Sequence, residues 1–298
     1  MEVNSTMPDS FPKGKVLAKG KTKVVYAVEG EPGKVVLQSM DDITVFDDPD
    51  LTRRFGSKAV CATTTTSQVF ELLENAGLPV AYIEQVSKTE FLAWKCEMIL
   101  LEVVIRRIAK GSYPKRNPEV KDGTRFSDPI CEFFLKTTGG KLVLPDGRVV
   151  VEGLDPKKGE EDPFIINPDD EVWDLFHPKK PPSEKGANLF RSLGAALVVP
   201  HQHSMKDMEK VAKGTFSVLE EAWGNLNCQL VDMKIEFGID PEGNLVIADV
   251  VDNDNWRLGD PDGKEISKEF FRQGGELGEV EEKYQLVAKL VQRPEFSN

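Results

Sequence analysis

The sequence predicts an α+β fold, on three observations. Runs rich in Val, Ile and Leu with strand-like character crowd the first half and return near residue 230. Helical periodicity is confined to a few separated stretches, and no internal repeat or low-complexity tract orders them. At 298 residues the chain exceeds what one ordinary core comfortably serves, so two lobes or one large mixed domain are expected.

In chain order, VLAKGKTKVVYAV reads as a strand that alternates poorly around its Gly and Lys residues and then runs apolar through Val28. Pro32-Gly33 gives a turn, and KVVLQS a second strand. Residues 59–76 carry Val69, Phe70, Leu72, Leu73 and Ala76 at helical spacing, and Gly77 and Pro79 stop that helix. MILLEVVIRRIAKGSYPKRN starts as a buried strand at Met98 and turns basic at Arg106, a candidate hinge between lobes. KLVLPDGRVVVEG forms a hairpin with Asp146-Gly147 at its tip, and HPKKPPSEKG loops over the surface. A helix opens at Ser204 with a capping box to Asp207 and buries Met208, Val211, Leu219 and Trp223. The hairpin LVDMKIEFGIDPEGNLVIADVVDND follows, and a last helix near 279–292 ends before Pro294.

A formal charge of −12 argues against nucleic acid or an anionic membrane as partner and makes local basic clusters informative. No apolar run reaches the roughly 18 residues of a membrane span. The opening MEVNSTMPDSFPKGK lacks the apolar segment of a signal peptide, so a cytoplasmic location is expected. Cys61, Cys96, Cys131 and Cys228 are scattered without a CxxC pair and read as reduced thiols. His201 and His203 have no matching ligand pair, which argues against zinc.

Three constellations carry chemistry. In Lys19-Gly20-Lys21-Thr22-Lys23 the glycine lets backbone approach a ligand and the alternating lysines suit a polyphosphate, although an aggregation-resistant edge strand has the same composition. Arg106-Arg107, Gly111-Ser112 and Lys115-Arg116 bring together what a phosphate monoester requires: guanidinium groups, a hydroxyl and a glycine-freed turn. In the hairpin at 230–254 a four-residue loop sets Asp240 against Leu245 and Glu236 against Asp249. Two facing carboxylates repel unless a divalent cation such as Mg²⁺ lies between them. Val231, Met233, Ile235 and Phe237 share one face of that strand, and Asp232, Lys234 and Glu236 the other. Together these features describe an enzyme that uses Mg-ATP to activate a phosphorylated substrate.

The stretches KGKTKVVY (19–26), EVVIRRIAKGSYPKRNP (102–118), LVDMKIEFG (230–238) and ADVVDNDNWRLGD (248–260) resemble the SAICAR synthetase family (phosphoribosylaminoimidazole-succinocarboxamide synthase). They are most similar to the synthetase half of the animal bifunctional purine-biosynthesis enzyme. The resemblance implies an ATP-clamping lobe at 12–100, with an antiparallel sheet like a kinase small lobe. A larger α/β lobe at 101–298 would hold substrate and metal, with the ATP cleft between the two. It also implies a ligase joining L-aspartate to carboxyaminoimidazole ribonucleotide (CAIR) through an acyl phosphate, with ATP and Mg²⁺ as cofactors. By match, Gly20, Lys21 and Lys23 contact ATP phosphates, and Glu97 and Met98 lie on the adenine-binding connection. Glu236 and Asp249 are the Mg²⁺-linked acids. Arg106 and Ser112, assisted by Arg257, hold the ribonucleotide phosphate, and Lys136 approaches the transferred phosphate. Lys234, Asp254 and Asp47 occupy substrate-facing motif positions, and Asp162-Pro163 resembles a family acid motif.

Departures from the family pattern are Val45-Phe46 in place of Ala-Gly, AVCATTTT without Asn-Lys, Leu100 in place of proline, and an insertion near 140–152. They leave open an alternative: a diverged nucleotide-binding paralogue with a regulatory or interaction role, or a ligase with an altered acceptor. The sequence does not fix the oligomeric state, and a homo-oligomer is compatible with it.

Overall fold

Residues 16–28 fold back on themselves at Gly20-Lys21-Thr22, so the first expected strand is a hairpin of β1 (Val16–Lys19) and β2 (Lys23–Val28). The computed structural model describes residues 11–44, 52–144, 147–200 and 202–297. The next turn comes earlier than expected, at Glu29-Gly30. Gly30 takes a left-handed φ of 80° and closes the connection before the proline is reached. Pro32-Gly33 therefore lies inside β3 (Glu31–Ser39). β4 (Asp42–Ile43) pairs with β5 (Arg53–Arg54) ahead of α1 (Lys58–Asn75), which Gly77 ends with a φ of 78°. β6 (Tyr82–Ser87) and β7 (Glu90–Trp94) complete an antiparallel sheet in the order β1-β2-β3-β7-β6.

The second sheet is built on β8 (Glu97–Ile108), which runs without a break through Arg106. The hinge expected at Arg106 is thus a strand interior, and the link from β7 of the first sheet to β8 of the second is Lys95-Cys96. Nor is the start of β8 buried: Met98 and Leu100 are exposed, while Ile99, Leu101, Val103 and Ile105 point inward on the alternate phase. After α2 (Tyr113–Arg116) come β9 (Arg125–Leu135), β10 (Leu142–Val143), β11 (Val149–Val151), β12 (Phe164–Ile165), β13 (Val172–Phe176) and β14 (Asn188–Gly194). α3 (Met205–Asn225) starts with the expected capping box, in which Ser204 and Asp207 satisfy each other's backbone N–H. Met208, Leu219 and Trp223 are buried on it as expected, and Val211 is half-buried. β15 (Gln229–Ile239), β16 (Leu245–Ala248), β17 (Trp256–Gly259), α4 (Glu269–Arg272) and α5 (Leu277–Leu290) follow.

The sheet order is β14-β13-β12-β9-β8-β15-β16, with β17 also pairing to β15. α3 packs on β15, β8 and β9, and the apolar side chains Met233, Ile235 and Phe237 of β15 are buried on that side. One apolar core runs from Val35 and Phe91 of the first sheet and Phe70 of α1 to Trp223 of α3 and Trp256 of β17. Among the described residues, no helix is long and apolar enough to cross a membrane.

Candidate active site

A cavity of about 810 Å³ opens on the face of the second sheet away from α3. Its floor is a charged lattice created by strand alternation. Asp232, Lys234 and Glu236 project from β15, Glu102, Val104 and Arg106 from β8, and Phe134 from β9. Across β15 and β8, Asp232 faces Arg106 and Glu236 faces Glu102.

That register corrects the expected acid pair. Ile239 pairs with Leu245, so the turn holds five residues and Glu236 lies opposite Ala248 rather than Asp249. The cross-strand carboxylate partner of Glu236 is Glu102, on the other neighbour. Asp249 still reaches the cavity because it leaves the strand with a left-handed φ of 67°. β16 and β17 share one edge of β15, so residues 249–255 cross between them at mid-strand, tied down by the Lys234 N–H to Asn255 carbonyl bond of 2.8 Å.

At this acidic end Glu236, Asp249 and Glu102 each have a lysine. Lys136 lies 2.6 Å from Glu236, Lys23 contacts Asp249, and Lys234 contacts Glu102. Burial first, then the Asp249 charge, raises the Glu236 pKa. Burial opposes the Lys136 ammonium, but Glu236 outweighs it and its pKa is raised. Asp162 accepts a 2.7 Å hydrogen bond from the Thr137 N–H, and burial together with Glu102 pushes its pKa up to about 7.

At the other end Arg106 is buried among acids. It donates to Glu132 at 2.6 Å and to Asp232, and its Nη2 lies 3.4 Å from the Ser112 hydroxyl. Arg116 shares Glu132 and also donates to the Pro178 carbonyl. Arg257 reaches Asp232 at 2.6 Å and stacks against Gly111, where a Cβ would lie 2.6 Å from its Nη2. Gly111 also has a φ of 66°, so both backbone conformation and space require glycine there. Arg107, grouped with Arg106 in the sequence reading, points to the opposite face and pairs with Glu220 of α3. Successive strand side chains point to opposite faces, so Arg107 does not line the cavity with Arg106.

The wall beside residues 249–255 is a buried network around Asp254, which contacts Lys268 at 3.0 Å, Lys58 at 3.5 Å and the Tyr284 hydroxyl. Burial opposes its charge, yet the two lysines and the hydroxyl hold its pKa well below the usual carboxylate range. Burial and Asp254 push neighbouring Asp252 up to about 6.

A family model described as SAICAR synthetase matches residues 16–143 and 188–291. The chain belongs to the SAICAR synthetase family. The Drosophila melanogaster bifunctional phosphoribosylaminoimidazole carboxylase/phosphoribosylaminoimidazole succinocarboxamide synthetase is 36% identical over 250 residues, which cover 84% of this chain and 49% of that protein. This chain therefore spans about half the length of that relative. The phosphoribosylaminoimidazole-succinocarboxamide synthase of Roseiflexus sp. is 33% identical over 263 residues, 87% of each chain. A type-2 SAICAR synthetase solved in complex with ADP shares the fold, with a TM-score of 0.68 at 22% identity over 93% of this chain and 97% of that one.

Of the residues expected from the SAICAR synthetase pattern, the cavity gathers Gly20, Lys21, Lys23, Arg106, Ser112, Lys136, Lys234, Glu236, Asp249, Asp254 and Arg257. Gly20 belongs to the β1–β2 turn rather than a strand start, and an added Cβ would meet nothing nearer than 3.6 Å. Glu97 and Met98 lie outside this cavity. Glu97 borders a smaller hollow of about 390 Å³ with Gly33, Cys96 and Pro241. Asp47, Val45 and Phe46 fall outside the described residues. Sequence reasoning missed Glu102, Glu132 and Lys58. Glu102 had a usable signal, four residues before Arg106 on the same strand phase. Lys58 had none, since its partner Asp254 is 196 residues away.

Proposed function

We propose that the chain is a cytoplasmic ATP-dependent ligase of purine biosynthesis. It would join the amine of L-aspartate to the carboxylate of CAIR and release SAICAR, ADP and phosphate. The observation that carries this reading is the polarity of the cavity along β15. The Arg106–Asp232 pair and the Glu236–Glu102 pair are four residues apart, roughly 13 Å on an extended strand. A ribonucleotide with its phosphate at the first pair can extend toward the lysines at the second.

In this reading Gly20, Lys21 and Lys23 clamp the ATP phosphates between the first sheet and the floor. The open space at Gly20 leaves the ligand as what a side chain there would obstruct. Met98 and Leu100 continue the strand phase of Glu102 with exposed apolar surface, which suits a flat base at the connection following Glu97. The first sheet then acts as the clamping lobe and the second as the substrate lobe, a division resembling a kinase. Ser112, Arg106 and Arg257 take the ribonucleotide phosphate. Lys234 and Asp254 orient the substrates, and Lys136 stabilises charge on the phosphoryl group as it moves to the carboxylate. The aspartate amine then displaces phosphate from the acyl phosphate and loses a proton.

Glu236 and Asp249 suit Mg²⁺. They are hard oxygen donors that repel each other, and each already attracts a cation. Such an ion would neutralise the β- and γ-phosphate oxygens. Lys23 and Lys136 supply the balancing charge otherwise.

The test is ADP release with Mg-ATP, CAIR and L-aspartate, repeated with each component left out. Release that needs all three, with SAICAR formed, is expected. ATP binding without such release defeats the reading.

A further inference from the structure

The SAICAR synthetase pattern skips residues 144–187, yet Pro156, Gly159, Glu161, Asp162, Pro178 and Lys179 from this stretch line the cavity. The strap at 177–179 is firmly held. The His177 N–H bonds the Ala187 carbonyl at 2.7 Å, the Lys179 N–H bonds His177 Nδ1 at 3.1 Å, and His177 Nε2 lies 3.5 Å from Glu160. Arg116 of α2 donates to the Pro178 carbonyl. That bond joins the segment carrying Lys115, which precedes Arg116, to the one carrying Lys179, which follows Pro178; both lysines line the cavity, and the charge of Lys115 acts on Lys179.

We propose that Lys179, delivered by this strap, joins Lys115 as a second cationic layer over the Arg106–Ser112 turn, forming a subsite for a phosphate monoester. Charge balance supports it. Four guanidiniums at this end (Arg106, Arg116, Arg257, Arg272) share three carboxylates (Glu132, Asp232, Glu269), which leaves one positive charge. A phosphate monoester carries about two negative charges at neutral pH, so the arginine cluster alone under-compensates it. The two lysines more than cover the difference, and Glu160, whose charge acts on Lys179, offsets part of the excess.

Lys115 makes no ion pair among the described residues. The Lys179 amine donates to the Lys158 carbonyl, which uses one of its three N–H donors. Burial, then the neighbouring Lys115 charge, lowers the Lys179 pKa. Two like charges held together by a hydrogen-bonded scaffold are stabilised by an anion between them. The ligase reading supplies the identity of that anion, the 5′-phosphate of the ribonucleotide. The phosphate chemistry stands without it.

The experiment is calorimetric binding of ribose 5-phosphate to the full chain, with ADP and L-aspartate as parallel ligands. Lys115→Gln and Lys179→Gln are each expected to weaken ribose 5-phosphate about tenfold while leaving the other two ligands within about twofold. In turnover, KM for CAIR should rise with kcat held. Ribose 5-phosphate affinity unchanged in Lys115→Gln, whose side chain is exposed and dispensable for folding, overturns the subsite. So does wild type that fails to bind ribose 5-phosphate, or a loss confined to ADP or L-aspartate. If the variants lose ribose 5-phosphate but wild type makes no SAICAR, the subsite stands and the ligase reading falls.

Discussion

The two ends of the cavity are both charged, but they are built differently. At the Arg106 end, Arg106, Arg116, Glu132 and Asp232 are all at most 4% exposed and tied to one another. At the acidic end, the side chains of Lys136 and Glu236 remain 33% and 12% exposed, and those of Lys23 and Asp249 are 24% and 18% exposed. Buried charges cannot exchange partners cheaply, because each would be left desolvated and unpaired. Half-exposed pairs can, because water replaces the missing partner. The first arrangement gives a preformed frame. In the proposed ligase reading, the second would let these lysines and carboxylates exchange each other for phosphate and metal during turnover.

This contrast can be broken most directly at Arg106. Arg106→Ala should cost about 3–5 kcal/mol in urea denaturation, because buried Glu132 and Asp232 lose the cation they share and keep only Arg116 and Arg257 respectively. Lys23→Ala should cost less than about 1 kcal/mol. Equal losses would erase the distinction between frame and exchangeable pairs.

A smaller effect on the fold but a large one on chemistry is expected at Asp249. Asp249→Asn should lower Mg-ATP-dependent turnover on the order of 100-fold, with little change in the denaturation midpoint. Unchanged turnover with a normal Mg²⁺ requirement would remove Asp249 from the metal assignment.

The third effect sharpens the comparison through pH. Burial and Glu102 raise the Asp162 carboxyl to about 7 in the folded chain, against roughly 3.9 unfolded. The folded state therefore binds this proton more tightly. Its contribution to stability is full below about pH 4 and is lost as pH rises through about 7. Asp162→Asn removes that loss, so the ligand-free variant should match wild type near pH 4 and exceed it at pH 8 by about 1–2 kcal/mol. Thermal melts at the two pH values read this out, and parallel pH profiles would show that the carboxyl is not strained by its surroundings.

Much of the fold was legible where local signals agree. The helix at 59–76 was delimited by its stripe and by Gly77, and α3 by Ser204, Asp207 and its apolar spacing. Legibility failed where a single residue changes the geometry. The β1–β2 hairpin hides in a run of strand formers because Gly20-Lys21-Thr22 turns without proline. The β15–β16 turn takes one residue more than expected, and with a period of two that slip exchanges the cross-strand partner of Glu236.

The sequence by itself determined which chemical groups line the cavity. Lysines beside a glycine, a basic glycine-serine turn and carboxylates on one strand phase are local patterns, and the cavity gathers them. Tertiary structure decided their partnerships. It set Glu102 against Glu236, turned Asp249 inward through a left-handed backbone, sent Arg107 to α3, and placed Lys58 beside Asp254. Strand register, the shared edge of β15 and the packing of α1 against α5 join residues far apart in the chain, and no short-range pattern records a distance of that kind.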